Sequence, residues 1–189
     1  IVREPVDNPG AAGLVETDAQ GNVVRFLEKP GEDEITCNTI NAGIYVLEPD
    51  TFDRIPKDTA WSIERSFFPS LIERGETFVA YVYDGYWIDI GTPAKYLQVH
   101  RDIMDGRSGA QPFQDIPAPR TWIAGDAKIG EGAVIEGPCF IDEGALVKAG
   151  ARVGPYSVIG RQTQIEEDAV VRGAVIWRSD CNRVAPRMR

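Results

Sequence analysis

The chain has 189 residues, enough for one or two compact units, and its 43% hydrophobic and 26% charged content is ordinary for a folded globular protein. Its formal net charge of -9 disfavours non-specific nucleic-acid binding, which needs a cationic face; it leaves room for anionic small molecules, since a few local cations and backbone N–H groups hold a phosphate within an acidic protein. No stretch approaches the ~20 apolar residues of a membrane span, no signal peptide is visible, and Cys37, Cys139 and Cys181, spaced by 102 and 42 residues, match no zinc pattern and predict a reducing, cytoplasmic setting.

Residues 1–106 read as mixed α/β. The chain opens at Ile1 directly into strand-like sequence, as if mid-domain. Gly13 to Thr17, a turn over Asp18 to Asn22, and Val23 to Leu27 predict a β-hairpin. Ile40 to Leu47 is an apolar run broken by Gly43 and reads as a buried strand. Ser62 can cap a short helix starting at Ile63, and Pro69 then kinks it or starts a second helix toward Gly75. Phe78 to Tyr83 alternates as a strand does. A helix over Pro93 to Asp105 has Thr92 as N-cap, proline at its first position and Gly106 just past its end. Its apolar face carries Tyr96, Leu97, His100, Ile103 and Met104.

Residues 107–121, with three prolines, read as a linker. From Trp122 the period becomes six. Ile123, Ile129, Ile135, Ile141, Val147, Val153, Ile159, Ile165 and Val171 follow one another at that spacing. Four residues after each stands Ala127, Ala133, Cys139, Ala145, Ala151, Ser157, Thr163, Ala169 or Val175. Neither a helix nor a flat strand has this period. A triangular coil does, with the branched residue pointing into a narrow prism and the small one beside it near a corner. Three hexapeptides complete a coil of a parallel β-helix, so the nine repeats predict about three coils over 123–171, within a β-helix domain over 122–189.

Four places carry possible chemistry. Glu28 and Lys29 precede Pro30 at the end of a predicted strand, where open α/β sheets bind ligands; they serve a ligand's hydroxyls and phosphate, or are a solvated pair. Asn41 interrupts an apolar run and needs partners, either a sugar hydroxyl or neighbouring backbone. Asp89 lies between apolar neighbours at a strand-to-helix junction. It suits Mg²⁺, which takes one or two protein carboxylates with phosphate oxygens and water, or it pairs with the helix N-terminus that follows. His100, the only histidine, falls on the apolar helix face and reads as a core or edge residue.

These residues occur in an ordered series: Gly13-Leu14-Val15-Glu16, Glu28-Lys29-Pro30, Asn38 to Tyr45, Ser62-Ile63-Glu64-Arg65 and Gly85 to Pro93. The series resembles the sugar-1-phosphate nucleotidyltransferase family, particularly mannose-1-phosphate guanylyltransferases and their bacterial relatives, many of which carry a C-terminal hexapeptide tail. The resemblance implies the C-terminal half of a Rossmann-like nucleotidyltransferase domain over 1–106, followed by a left-handed parallel β-helix. It implies that Gly13 lies against the sugar, that Glu28 and Asn41 bind its hydroxyls, that Lys29 contacts its phosphate and that Asp89 is one of two aspartates holding Mg²⁺. The family usually places an aromatic residue before the first glycine, where this chain has Ala12. Nothing here matches the family's glycine-rich phosphate loop or base-recognition segment, so the expectation is a fragment, inactive alone, of a longer enzyme.

The implied reaction is nucleotidyl transfer from a nucleoside triphosphate to a sugar 1-phosphate, with mannose 1-phosphate and GTP as the expected pair, in a cytoplasmic homo-oligomer assembled through the β-helix. The phosphate of one substrate is the nucleophile, so the protein need only align two anions and offset their repulsion. Two other readings remain. A regulatory or assembly subunit would keep the fold but lose the lysine or aspartate, and this chain has both. A hexapeptide acyltransferase commonly uses a histidine base, and residues 123–189 contain none.

Overall fold

A computed structural model describes residues 1–5, 12–109, 121–177 and 183–184. Most of the predicted linker, and Cys181, lie outside the described residues. The chain divides into two compact units, Ile1–Trp87 and Ile88–Arg189.

The first unit is built on a five-stranded sheet. Its strands are β1 (Val2–Pro5), β2 (Gly13–Thr17), β3 (Val23–Glu28), β4 (Thr39–Asn41) and β5 (Tyr81–Val82), in the order β3-β2-β4-β1-β5. The predicted hairpin is β2–β3, with Gly13 opposite Glu28 and a register shift at Glu16/Thr17. The Asp18 carboxylate organises its turn by accepting from Gln20 N, Asn22 N and Asn22 Nδ2 at 2.8–2.9 Å. Ser62 caps a wide helical turn over Ile63–Phe67, its side chain accepting from Arg65 N at 3.0 Å. Pro69 then stands at the start of α1 (Phe68–Glu73). Phe68 is fully buried, with ring centroids 5.1 Å from Phe26 and from Phe78 and 4.9 Å from Tyr45.

Two strand expectations are corrected. Pairing in the Ile40–Leu47 run ends at Asn41, because Gly43 adopts φ +77° and turns the chain away. Tyr45 and Leu47 remain half-buried, while Ile44 is exposed and Val46 is 92% exposed. The Phe78–Tyr83 segment changes partner along its length. Phe78 O and Ala80 N bond to Val23 N and Gly21 O at 2.7 and 2.9 Å, and only Tyr81–Val82 joins β1, in parallel.

In the second unit, α2 (Pro93–Met104) has the predicted punctuation. Thr92 accepts from Lys95 N at 3.3 Å. At the other end Gly106 has φ +78°, and the N–H groups of Gly106 and Arg107 return to the carbonyls of Ile103 and Asp102. The helix touches the coils that follow. Tyr156 Oη lies 3.0 Å from an Asp105 carboxylate oxygen, and Trp177 Nε1 donates to Tyr96 Oη at 2.8 Å. The His100 ring lies edge-on to Tyr96 at 4.7 Å.

The coils are a parallel β-helix of about three turns. Three sheets stack β6 (Trp122–Ile123), β9 (Cys139–Ile141), β12 (Ser157–Ile159) and β15 (Val175–Ile176); β7 (Lys128–Ile129), β10 (Leu146–Val147), β13 (Gln164–Ile165) and β16 (Arg183–Val184); and β8 (Val134–Ile135), β11 (Arg152–Val153) and β14 (Val170–Val171). Strands in successive coils pair residues eighteen apart, as Val147 with Ile129 and with Ile165. Ile141, Val147, Val153, Ile159 and Ile165 are wholly buried, Val171 nearly so, and Ala145, Ala151, Ser157, Thr163 and Ala169 fill the corners. Burial pushes the Cys139 thiol up to about 11.

The prism departs from the nine-fold expectation at both ends. Ile123 and Ile129 are 41% and 39% exposed, because the first coil has a neighbouring coil on one side only. After Val171 the register shortens by one, pairing Ile159 with Ile176. Ala174 and Ile176, rather than Val175, therefore pack against the core.

Ile141→Asp buries an unpaired charge in the prism and costs about 3–5 kcal/mol. Ile123→Asp, at the open end, costs under about 1 kcal/mol; denaturant unfolding of the two variants measures the contrast. Burial holds the His100 imidazole below its ordinary range, so the folded state resists protonation more than the unfolded state does. His100 then weakens the protein as pH falls below about 6.5. Melting at about pH 7 and about pH 5 should show a loss that His100→Gln reduces.

Candidate sugar-phosphate site

The hairpin and β4 bring three of the predicted residues together. Gly13 faces Glu28 across β2–β3. A Cβ at Gly13 would lie 2.9 Å from Glu28 Oε2, 3.2 Å from Phe26 Cζ and 3.5 Å from Asn41 Cβ. Gly13, Glu28 and Asn41 are therefore one surface, and glycine is what lets the Glu28 carboxylate lie flat against β2. Lys29 follows at the strand end, exposed and with φ +53°, before the buried Pro30. Left-handed backbone at a lysine costs about 1 kcal/mol or more. Neither the Glu28 nor the Lys29 side chain has a hydrogen-bond or ion-pair partner among the described residues.

The Asn41 amide is held at both ends. Its Oδ1 accepts from Gly43 N at 2.9 Å, which fixes the orientation of the amide because a backbone N–H can only donate. Its Nδ2 donates to Tyr45 Oη at 2.7 Å and to Glu64 Oε1 at 3.0 Å. Trp87 Nε1 donates to the adjacent Ala42 carbonyl at 3.3 Å, tying the end of the Gly85–Trp87 segment to this edge. Burial is the largest cause holding the Tyr45 phenol above its ordinary range; the Asn41 hydrogen bond opposes it, and the Glu64 and Glu28 charges add to it. The phenol thus stays protonated beside two carboxylates. Sequence reading assigned no role to Tyr45 or Glu64. Glu64 lies in the first turn behind the Ser62 cap and Tyr45 in the apolar run after β4, and neither position by itself signals a contact with Asn41.

Asp89 belongs to the second unit. It is exposed, three residues ahead of the Thr92 cap, without a hydrogen-bond or ion-pair partner among the described residues. A Cβ at Gly91 would lie 3.4 Å from its carboxylate, so glycine keeps that side open. Among the described residues no group of three or more His, Cys, Asp or Glu could hold a metal ion, and no helix is long and apolar enough to cross a membrane.

Residues 1–106 match the sequence model of the nucleotidyl transferase family. The chain is similar to a mannose-1-phosphate guanylyltransferase of Mycobacterium tuberculosis, with 35% identity over 174 residues, 92% of this chain and 46% of that protein. It is similar to a UTP–glucose-1-phosphate uridylyltransferase of Synechocystis sp., with 29% identity over 98% of this chain and 48% of that protein. Mannose-1-phosphate guanylyltransferase 1 of Arabidopsis thaliana is 34% identical over 95% of this chain and 50% of its own length. The chain spans about half the length of these curated relatives.

Gly13→Ala places a methyl group against Glu28 and the buried Phe26 ring. The carboxylate can swing away and the ring cannot, so the variant loses about 1–3 kcal/mol and displaces Glu28. Thermal melting measures the loss, and a crystal structure of the variant shows the carboxylate.

Proposed function

Because the chain belongs to the nucleotidyl transferase family, we propose that it supplies the sugar-phosphate side of an enzyme moving a nucleotidyl group from a nucleoside triphosphate to a sugar 1-phosphate. Mannose 1-phosphate and GTP are the pair we favour, since two of the relatives above carry the mannose-1-phosphate guanylyltransferase name. The support that carries the reading is the partner-free Glu28–Lys29 pair at one strand end, beside Gly13 and Asn41. A carboxylate next to an ammonium, both uncommitted, suits a ligand with hydroxyls at one end and a phosphate at the other.

In this reading a phosphate oxygen of the sugar 1-phosphate attacks the α-phosphorus of the triphosphate. A new P–O bond forms there, the bond to the β-phosphate oxygen breaks, and pyrophosphate leaves. Lys29 offsets phosphate charge, Glu28 accepts from sugar hydroxyls, and Asn41 offers the one Oδ1 lone pair that Gly43 leaves open. Asp89, with its side kept open by Gly91, has the hard oxygen donors Mg²⁺ prefers and would hold it; a lone protein carboxylate suits a cation that otherwise takes phosphate oxygens and water. When bound, Mg²⁺ supplies charge stabilisation on the phosphates. The convergence of Asp89 with Lys29 belongs to this proposal. So do the triphosphate-binding half elsewhere in a longer protein, a cytoplasmic setting, and homo-oligomer assembly through the β-helix, on which Val170 and Trp177 are exposed.

The experiment is pyrophosphate release by this chain and by the full-length protein, across GTP, UTP and dTTP with mannose and glucose 1-phosphates. The full-length protein turns over with Mg²⁺, and this chain alone does not. Asp89→Asn lowers kcat on the order of 10²-fold. Lys29→Ala raises the KM for sugar 1-phosphate about tenfold. Turnover by this chain alone contradicts the half-site reading, and a full-length protein inactive with every pair favours a regulatory subunit.

A further inference from the structure

We infer that the β-helix positions the Asp89 carboxylate through α2, and that Trp177 and Tyr156 on the coils, with Tyr96 and Asp105 on the helix, are positioning residues for it. The inference rests on the Mg²⁺ reading of Asp89 above and extends it to coils that the reading treats as an assembly surface.

Asp89 is exposed, and its carboxylate has no partner among the described residues. Ile90 and Gly91, which follow it, are exposed as well. The carboxylate therefore stands where the backbone on either side is fixed. On one side the fixed point is Trp87, whose Nε1 donates to the Ala42 carbonyl at 3.3 Å. On the other it is Thr92, the N-cap of α2. Thr92 is tied to the helix: its side chain accepts from Lys95 N at 3.3 Å and its carbonyl from Tyr96 N at 2.9 Å.

A helix of 12 residues is marginal in water by itself and takes its place from what it packs on. For α2 that is the coils, and it is pinned at both ends. Near the start, Tyr96 Oη accepts from Trp177 Nε1 at 2.8 Å, with the two ring centroids 5.8 Å apart. Near the end, Tyr156 Oη donates to the Asp105 carboxylate at 3.0 Å, and the Arg101 guanidinium lies 5.9 Å from the centre of the Tyr156 ring. Two contacts at opposite ends of a rod fix its direction as well as its place; one alone leaves it free to swing. The Tyr96 backbone bonds to the cap residue itself, so a swing of α2 carries Thr92 and, three residues before it, Asp89. The compact units divide between Trp87 and Ile88, so Asp89 goes with the helix and the coils.

Mg²⁺ demands near-ideal octahedral geometry, and a site that is loose by more than about 0.5 Å loses function. Releasing α2 from the coils therefore weakens the use of Mg²⁺ and spares the binding of the sugar, which the reading above assigns to the first unit.

The test uses the full-length protein carrying Trp177→Phe and Tyr156→Phe together, which keeps an aromatic ring at each place and removes both hydrogen bonds. The double variant should raise the Mg²⁺ concentration for half-maximal pyrophosphate release roughly 3- to 10-fold, the range that one or two hydrogen bonds carry. Its KM for sugar 1-phosphate should stay within about twofold. An Asp89→Asn background supplies a readout that a merely structural role would not move: there the two coil substitutions should no longer shift the Mg²⁺ midpoint, because the carboxylate they position is gone. Hydrogen exchange needs no turnover. In the double variant the amides of the first turn of α2, Tyr96 among them, should exchange about threefold faster or more, while those of Val147 and Ile165 inside the coils keep their rates. Faster exchange in α2 with an unchanged Mg²⁺ midpoint overturns the inference and leaves the reaction assignment standing. So does unchanged exchange along α2, or a midpoint shift that persists in full in the Asp89→Asn background. A wild type without turnover on any sugar 1-phosphate overturns both.

Discussion

The amide of Asn41 is the point on which the first unit's candidate site depends. A three-residue strand places it, a glycine in left-handed backbone turns its N–H back onto it, and its two donors reach one side chain from the turn that follows and one from the helical turn at Ser62. The amide is half-buried, and leaving its groups unpaired there would cost stability. The three elements are thus held in register by the need to satisfy it. Gly13 adds the complementary constraint from the other side, since only the absence of a Cβ lets Glu28 close over β2. The site is a place where backbone shape and side-chain hydrogen bonding fix each other.

The second unit obeys a different constraint, the width of a triangular prism. One branched residue and one small residue per side fill it, and the eighteen-residue pairing repeats because each coil must lie on the last. Where that demand relaxes, so does the pattern. The first coil leaves Ile123 and Ile129 partly open, and the last shifts register so that Ala174 and Ile176 take the inner positions. The helix α2 meets these coils through Tyr96, Asp105, Tyr156 and Trp177. The family's sequence match runs to residue 106, through a helix whose spatial contacts lie with the coils.

Much of this was legible in the sequence, for reasons specific to each element. The Thr92–Pro93…Gly106 punctuation is local chemistry, and local chemistry decided the helix ends. The period of six is geometric and survives without any partner. The hairpin had both its alternation and its Asp18 turn. The Ile40–Leu47 run failed as a strand because apolar content alone does not reveal where pairing stops, and Gly43 stops it. The hydrogen bonds of Asn41 to Tyr45 and Glu64 were not legible because they span 4 and 23 residues and no local period encodes them. Gly13, Glu28 and Asn41 were expected at one site only through family resemblance; what the fold adds is that the hairpin register and the close approach at Gly13 put them side by side.

The measurement that tests the account most directly is a crystal structure of the full-length protein with mannose 1-phosphate bound. The sugar ring is expected against Gly13, with hydroxyls within hydrogen-bonding distance of Glu28 and Asn41 and the phosphate on Lys29. A ligand bound the other way round, with its phosphate beside Glu28 and Asn41, or bound away from the β2–β3 edge, would contradict it.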